Sequence, residues 1–124
     1  MTHLRDKTVL GAACLAGVVL GVLTIRPAAR AQAATREFTI DADHFAFSPA
    51  RIEVNKDDVV KITFTAKDIA HSFTIDNYRI AKRAAAGQTV TFEFRADQSG
   101  THRIYCNLTI DDRCKRMEGA LVVR

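Results

Sequence analysis

From Glu37 onward, apolar residues recur at every second position in short runs separated by turn residues. Val60, Ile62 and Phe64 share one face of such a run and Lys61 and Thr63 the other, and Val90, Phe92 and Phe94 repeat the rhythm. Phe38 with Ile40, Phe45 with Phe47, and Ile52 with Val54 give shorter versions. Successive side chains of an extended strand point to opposite faces, so a period of two describes half-buried strands and excludes amphipathic helices. Ser48-Pro49, Asn55-Lys56-Asp57-Asp58 and Gln98-Ser99-Gly100 supply the breaks. With Ser72 to Ile75, Thr101 to Cys106 and Ala120 to Val123, this makes about seven or eight short strands, the pattern of an all-β, antiparallel Greek-key β-sandwich. Ala81 to Ala86 is the one stretch that could form a helical turn, too short to carry a fold.

The N-terminus is built differently. Arg5 and Lys7 precede an apolar run from Val9 to Ile25, followed by small residues ending Ala31-Gln32-Ala33. That layout predicts a secretory signal peptide over residues 1–33 and a single domain over 34–124, exported to the periplasm or outside the cell. The alternative is an uncleaved anchor through residues 8–25, at the short end of what spans a bilayer and interrupted by three glycines. Charge follows the same division. The chain holds 18 Lys and Arg against 14 Asp and Glu; four of the bases and one of the acids lie in the leader, leaving 14 against 13. A domain so nearly neutral is not built to bind nucleic acid, whatever the isoelectric point of the whole chain.

Four residues carry chemistry. His71 sits in Asp68-Ile69-Ala70-His71-Ser72-Phe73, while Cys106, Cys114 and Met117 share the stretch from Tyr105 to Met117. One imidazole, two thiols and a thioether form a soft donor set that favours copper over calcium or magnesium. The cysteines admit a second reading. In an export compartment an idle thiol pair tends to oxidise, and a disulfide here closes a loop of about nine residues, contributing roughly 2–3 kcal/mol. Both readings stay open at this level. His44, out of phase with Phe45 and Phe47, reads as a solvated strand residue. His102 lies four residues, roughly 13 Å, from Cys106 along the same strand, and reads as core or rim.

The segments Phe45-Ala46-Phe47-Ser48-Pro49, His71-Ser72-Phe73, Gly100-Thr101 leading into Tyr105-Cys106, and Met117-Glu118-Gly119-Ala120-Leu121-Val122-Val123 resemble the cupredoxin family. The similarity is greatest to the soluble copper domain of cytochrome oxidase subunit II. The loop motif of that domain is C-x3-C-x3-H-x2-M, binding two coppers through bridging thiolates. Set on this chain from Cys106, it places Ile110 at the second cysteine, Cys114 at the histidine and Met117 at the methionine, with Leu108 where the family has a glutamate. Spacing is kept while two loop ligands are changed. The resemblance therefore implies the fold and a copper site, but with Ile110 unable to bridge, the expected site holds one copper ion on His71, Cys106, Cys114 and Met117.

Three functions compete on these residues: a one-electron carrier, a Cu(I) chaperone or storage module, and a metal-free disulfide-bonded structural module. An enzyme is not expected, because the protein fills every position at the metal and no Ser/His/Asp or paired-carboxylate arrangement stands elsewhere. Two basic clusters, Arg79-Lys82-Arg83 and Arg113-Lys115-Arg116, read either as solvated surface or as a rim steering an acidic redox partner.

Overall fold

The computed structural model describes residues 11, 16–26 and 33–124 of the chain. Two compact units divide it, Met1–Arg30 and Ala31–Arg124. Residues 16–26 of the first carry no regular secondary structure, and among the described residues no helix is long and apolar enough to cross a membrane. The charged start of the predicted leader, with His3, and Ala31 and Gln32 of its A-x-A end lie outside the described residues.

The second unit is nine strands: β1 Thr35–Asp43, β2 Ala46–Ser48, β3 Arg51–Val54, β4 Val59–Ala66, β5 His71–Ile75, β6 Ile80–Ala84, β7 Thr89–Arg95, β8 Gly100–Tyr105 and β9 Glu118–Val123. They form two sheets, β2-β1-β4-β7 and β3-β9-β8-β5-β6. The predicted sandwich is present, and within it β1 pairs parallel to β4 and β3 parallel to β9, while the other neighbours are antiparallel.

Alternation decides the burial. Along β4, Val60, Ile62, Phe64 and Ala66 are wholly buried while the residues between them are half-exposed. Each large apolar side chain removed from water contributes roughly 1.5–3 kcal/mol, and an aromatic cluster joins the two sheets. The Phe73 ring of β5 lies 5.8 Å from Phe64 of β4, 5.4 Å from Phe92 of β7 and 6.2 Å from Phe47 of β2.

Two local expectations change. The stretch from Ala81 is not a helical turn but most of β6, because Ile75 to His71 offer a partner strand in register with Ile80 to Ala84. A ladder of inter-strand bonds outweighs a weak local helix preference in so short a segment. Phe45 is not in a strand. Asp43 pairs with Ala46, so His44 and Phe45 form a two-residue hairpin loop, at φ +49° and +60°. A tight hairpin whose twist matches its strands requires that left-handed backbone, here without glycine.

Candidate metal centre

Strand register sets three of the candidate donors at one end of a sheet. Tyr105 pairs with Thr74 of β5 on one side and with Glu118 of β9 on the other. Carried one residue further, the same antiparallel registers set Cys106 opposite both Phe73 and Met117, with His71 two residues beyond Phe73 on the same face. Diagonal neighbours of this kind lie roughly 7–8 Å apart. Residues 46 positions apart in sequence are therefore carried to the same end of the five-stranded sheet.

All four predicted residues are buried: His71, Cys106, Cys114 and Met117 are each at most 2 % exposed. Cys114 opens a 3₁₀ turn, Cys114–Arg116, which returns the loop to β9, with Met117 N–H donating to the Cys114 carbonyl at 3.1 Å. The loop starts as firmly as it ends. Ser72 Oγ donates to Asn107 Oδ1 and accepts the Asn107 N–H, both at 2.7 Å, tying the residue after Cys106 to the residue after His71.

Cys106 and Cys114 are joined by a disulfide. Of the two readings the sequence left open for this pair, the structure holds the bonded one. His71 is the complementary observation. Its Nε2 lies 2.7 Å from Asp68 Oδ1, while Nδ1 is buried with no hydrogen-bond partner, the single such side-chain atom among the described residues. A buried imidazole nitrogen without a partner costs free energy unless something takes its lone pair. Soft sulfur at the same sheet end makes copper a chemical fit, on condition that the disulfide is first reduced, since thiolates and not a disulfide bind the metal.

Four residues around the centre have roles that the sequence reading did not assign. Phe45 stands edge-on to the His71 ring, centroids 5.7 Å apart, and Arg113 stacks over Phe45 at 4.2 Å. Asp111 pins Arg113 at 2.8 Å. The Arg113 side chain's hydrogen bonds, with its N–H, outweigh partial burial and bring the Asp111 carboxyl down to about 2. Asp68 is the fourth. Burial would raise its carboxyl, but hydrogen bonds from His71, Ile69 N–H and His44 N–H outweigh that and hold it well below the usual carboxylate range. Its place three residues before His71 was the available signal, yet nothing in spacing alone distinguishes a partner from a solvated acid.

An open depression of about 390 Å³ lies outside this cover, lined by His44, Phe45, Asp68, Arg113 and Arg116. At its edge the donor atoms of Asp43, His44 and Asp68 come within 4.8 Å of one another. That cluster is an exposed, oxygen-rich surface network whose Asp68 is already engaged by His71, and it lacks the sulfur of the buried site. The remaining histidine expectation holds: His102 is buried, with Nε2 donating to Gln98 O at 2.8 Å and Nδ1 accepting from Asn77 at 2.9 Å, so both ring nitrogens are used within the core. His44 is solvated as expected, on the hairpin turn and not in a strand.

Comparison with known proteins agrees with this architecture. No curated protein sequence matches the chain. Among solved structures it is similar to auracyanin A, a blue copper protein of Chloroflexus aurantiacus, at 18% identity over 73% of this chain and 100% of that one, TM-score 0.62. The Cu(I)-bound metal-binding domain of a Streptococcus pneumoniae D39 Cu(I)-exporting P-type ATPase aligns at 17% identity over 73% and 87%, TM-score 0.62. The periplasmic domain of cytochrome oxidase subunit II from Bradyrhizobium japonicum aligns at 20% identity over 60% of this chain, TM-score 0.54, and this chain spans only 54% of that one. At these identities the likeness concerns the fold. The family model described as a cupredoxin-like domain matches residues 14–123. The chain belongs to the cupredoxin-like domain family.

Proposed function

We propose that this domain is an exported one-electron carrier whose dithiol form holds one copper ion on His71 Nδ1, Cys106, Cys114 and Met117. The observation that carries the reading is the unpartnered, buried Nδ1 of His71, at the sheet end where β8 runs into Cys106 and Met117 leads into β9. Copper there would supply exchange of a single electron between Cu(I) and Cu(II). The residues supply rigidity: three donors stand at strand ends, with Ser72 and Asn107 clamping the start of the loop, and the fourth opens a short 3₁₀ turn, so little has to rearrange when the charge changes. With four protein donors, no position is left for a substrate, and the domain on this reading is not an enzyme.

The disulfide sets a condition. A dithiol reductant must transfer two electrons and two protons to the Cys106–Cys114 bond, yielding two thiols here and a disulfide on the reductant. Exposed Arg116, with Lys115 and Arg113 beside it, would then meet an acidic redox partner over the depression, an attraction that high salt weakens.

A second reading, a Cu(I)-holding chaperone or storage module, is supported by the Cu(I)-bound structural neighbour and by a donor set in which three of four atoms are sulfur. Metal analysis and visible absorbance of reduced protein separate the two. One copper with an intense thiolate-to-Cu(II) band supports the carrier, and tight colourless Cu(I) supports storage. Reduced protein that takes up no copper overturns both and leaves a disulfide-stapled structural module. Voltammetry adds a check on Cys114: a second thiolate favours Cu(II), so the potential of the parent protein should lie roughly 100 mV or more below that of Cys114→His.

A further inference from the structure

Asp68 stands between the imidazole of His71 and the β1–β2 hairpin turn. Oδ1 lies 2.7 Å from His71 Nε2 and accepts the Ile69 N–H at 2.8 Å; Oδ2 accepts the His44 N–H at 3.0 Å. Backbone amides can only donate, so both oxygens serve as acceptors, and the bond to His71 must be made by a proton on Nε2. A neutral imidazole protonated at Nε2 has its lone pair at Nδ1, and Nδ1 is the atom left buried and unpartnered. Among the described residues no other group hydrogen-bonds either ring nitrogen, and Phe45 meets the ring in a T-shaped contact with carbon only.

The same carboxylate reaches further. By accepting the His44 N–H it braces a hairpin turn of two consecutive left-handed residues, the second of which is Phe45, the cover over His71. Non-glycine residues held in that conformation cost of order 1 kcal/mol each and persist where their surroundings over-determine them.

We propose that Asp68 is the positioning residue of this centre: its carboxylate selects the Nε2–H tautomer of His71, leaving Nδ1 as the metal-binding atom, and ties that choice to the turn that covers the ring. The metal-binding half rests on the copper reading above; the tautomer half does not. A carboxylate behind a ligating imidazole also makes it a better donor, which favours Cu(II) over Cu(I).

The test uses the full protein and three variants of one residue, Asp68→Asn, Asp68→Ala and Asp68→Leu. In copper-free protein, long-range proton–nitrogen correlation spectra report the protonation of each His71 nitrogen. The parent and Asp68→Asn, whose amide oxygen can still accept, should show protonation at Nε2 alone, while Asp68→Ala and Asp68→Leu should show a mixture or protonation at Nδ1. After reduction and copper loading, affinity should fall about 10- to 100-fold in Asp68→Ala, and the potential of Asp68→Asn should rise above the parent's. A parent His71 protonated at Nδ1 or at both nitrogens overturns the proposal, as does an Asp68→Ala protein with unchanged tautomer and unchanged copper affinity. If the tautomer pattern appears as expected but no protein of the set binds copper, the selection by Asp68 is supported and the copper reading is what fails.

Discussion

A Cβ on Gly119 would stand 2.6 Å from the carbonyl oxygen of Ala50, closer than any real side chain approaches backbone. Gly119 follows Met117 by two residues and pairs with Ile104 across β8, while its neighbour Ala120 donates to that Ala50 carbonyl at 2.7 Å. The strand that follows the last candidate donor therefore lies directly on the loop before β3, and only a missing side chain permits it.

Gly119→Ala should consequently destabilise the domain by about 1–3 kcal/mol, the usual range for overpacking against an unyielding partner. Urea unfolding measures it. If the disturbance spreads to Met117, copper affinity falls as well, whereas Gly87→Ala, with open space around its Cβ but a φ of +75°, should cost stability alone.

Breaking the Cys106–Cys114 bond should cost about 2.5 kcal/mol, the loop-closure entropy of a segment of this length. Denaturant unfolding of Cys106→Ser/Cys114→Ser against the oxidised parent reads the difference directly. The same loss should appear in the parent on adding a dithiol reductant, and copper should then restore stability to the reduced parent but not to the double variant.

Asp58 should contribute to acid stability, alongside the lowered carboxyls of Asp68 and Asp111. It is buried, and the Asn55 N–H it accepts at 2.9 Å lowers its carboxyl; burial opposes this, and Ala34 N–H and Arg36 add to the lowering. A folded-state value below the unfolded one means that the stabilisation is complete above the unfolded value of about 3.9 and is lost as pH falls through the folded one. Asp58→Asn should therefore be less stable than the parent at pH 7, with the gap narrowing below about pH 4. Equal acid slopes in chemical unfolding would remove Asp58 from the explanation.

Copper stoichiometry should follow two loop positions. Ile110 stands where the related two-copper loop has its second cysteine, and here it is 67% exposed, turned toward solvent. The double change Ile110→Cys/Cys114→His restores that spacing and, on the one-copper site proposed above, should raise metal content to two, with a mixed-valence spin signal shared between them. Metal analysis and electron paramagnetic resonance check both points.

The alternation of Val60, Ile62 and Phe64, and of Val90, Phe92 and Phe94, was enough to identify strands and a sandwich, because a period of two is a local property of an extended chain. The candidate donors were legible for a similar reason: imidazole, thiol and thioether are chemical identities, readable without coordinates. Helix preference misled at Ala81 to Ala86, where a long-range partner in β5 decided the outcome. Phe45 misled too, since the sequence shows its hydrophobicity but not the left-handed turn that swings it over His71. What only the tertiary structure decided is the pairing of groups far apart in the chain: the Cys106–Cys114 bond over free thiols, Asp68 on one imidazole nitrogen with the other left unpartnered, and Ser72 clamped to Asn107. Each depends on register between strands and on burial, and these are properties of the packed sheets, not of any segment read alone.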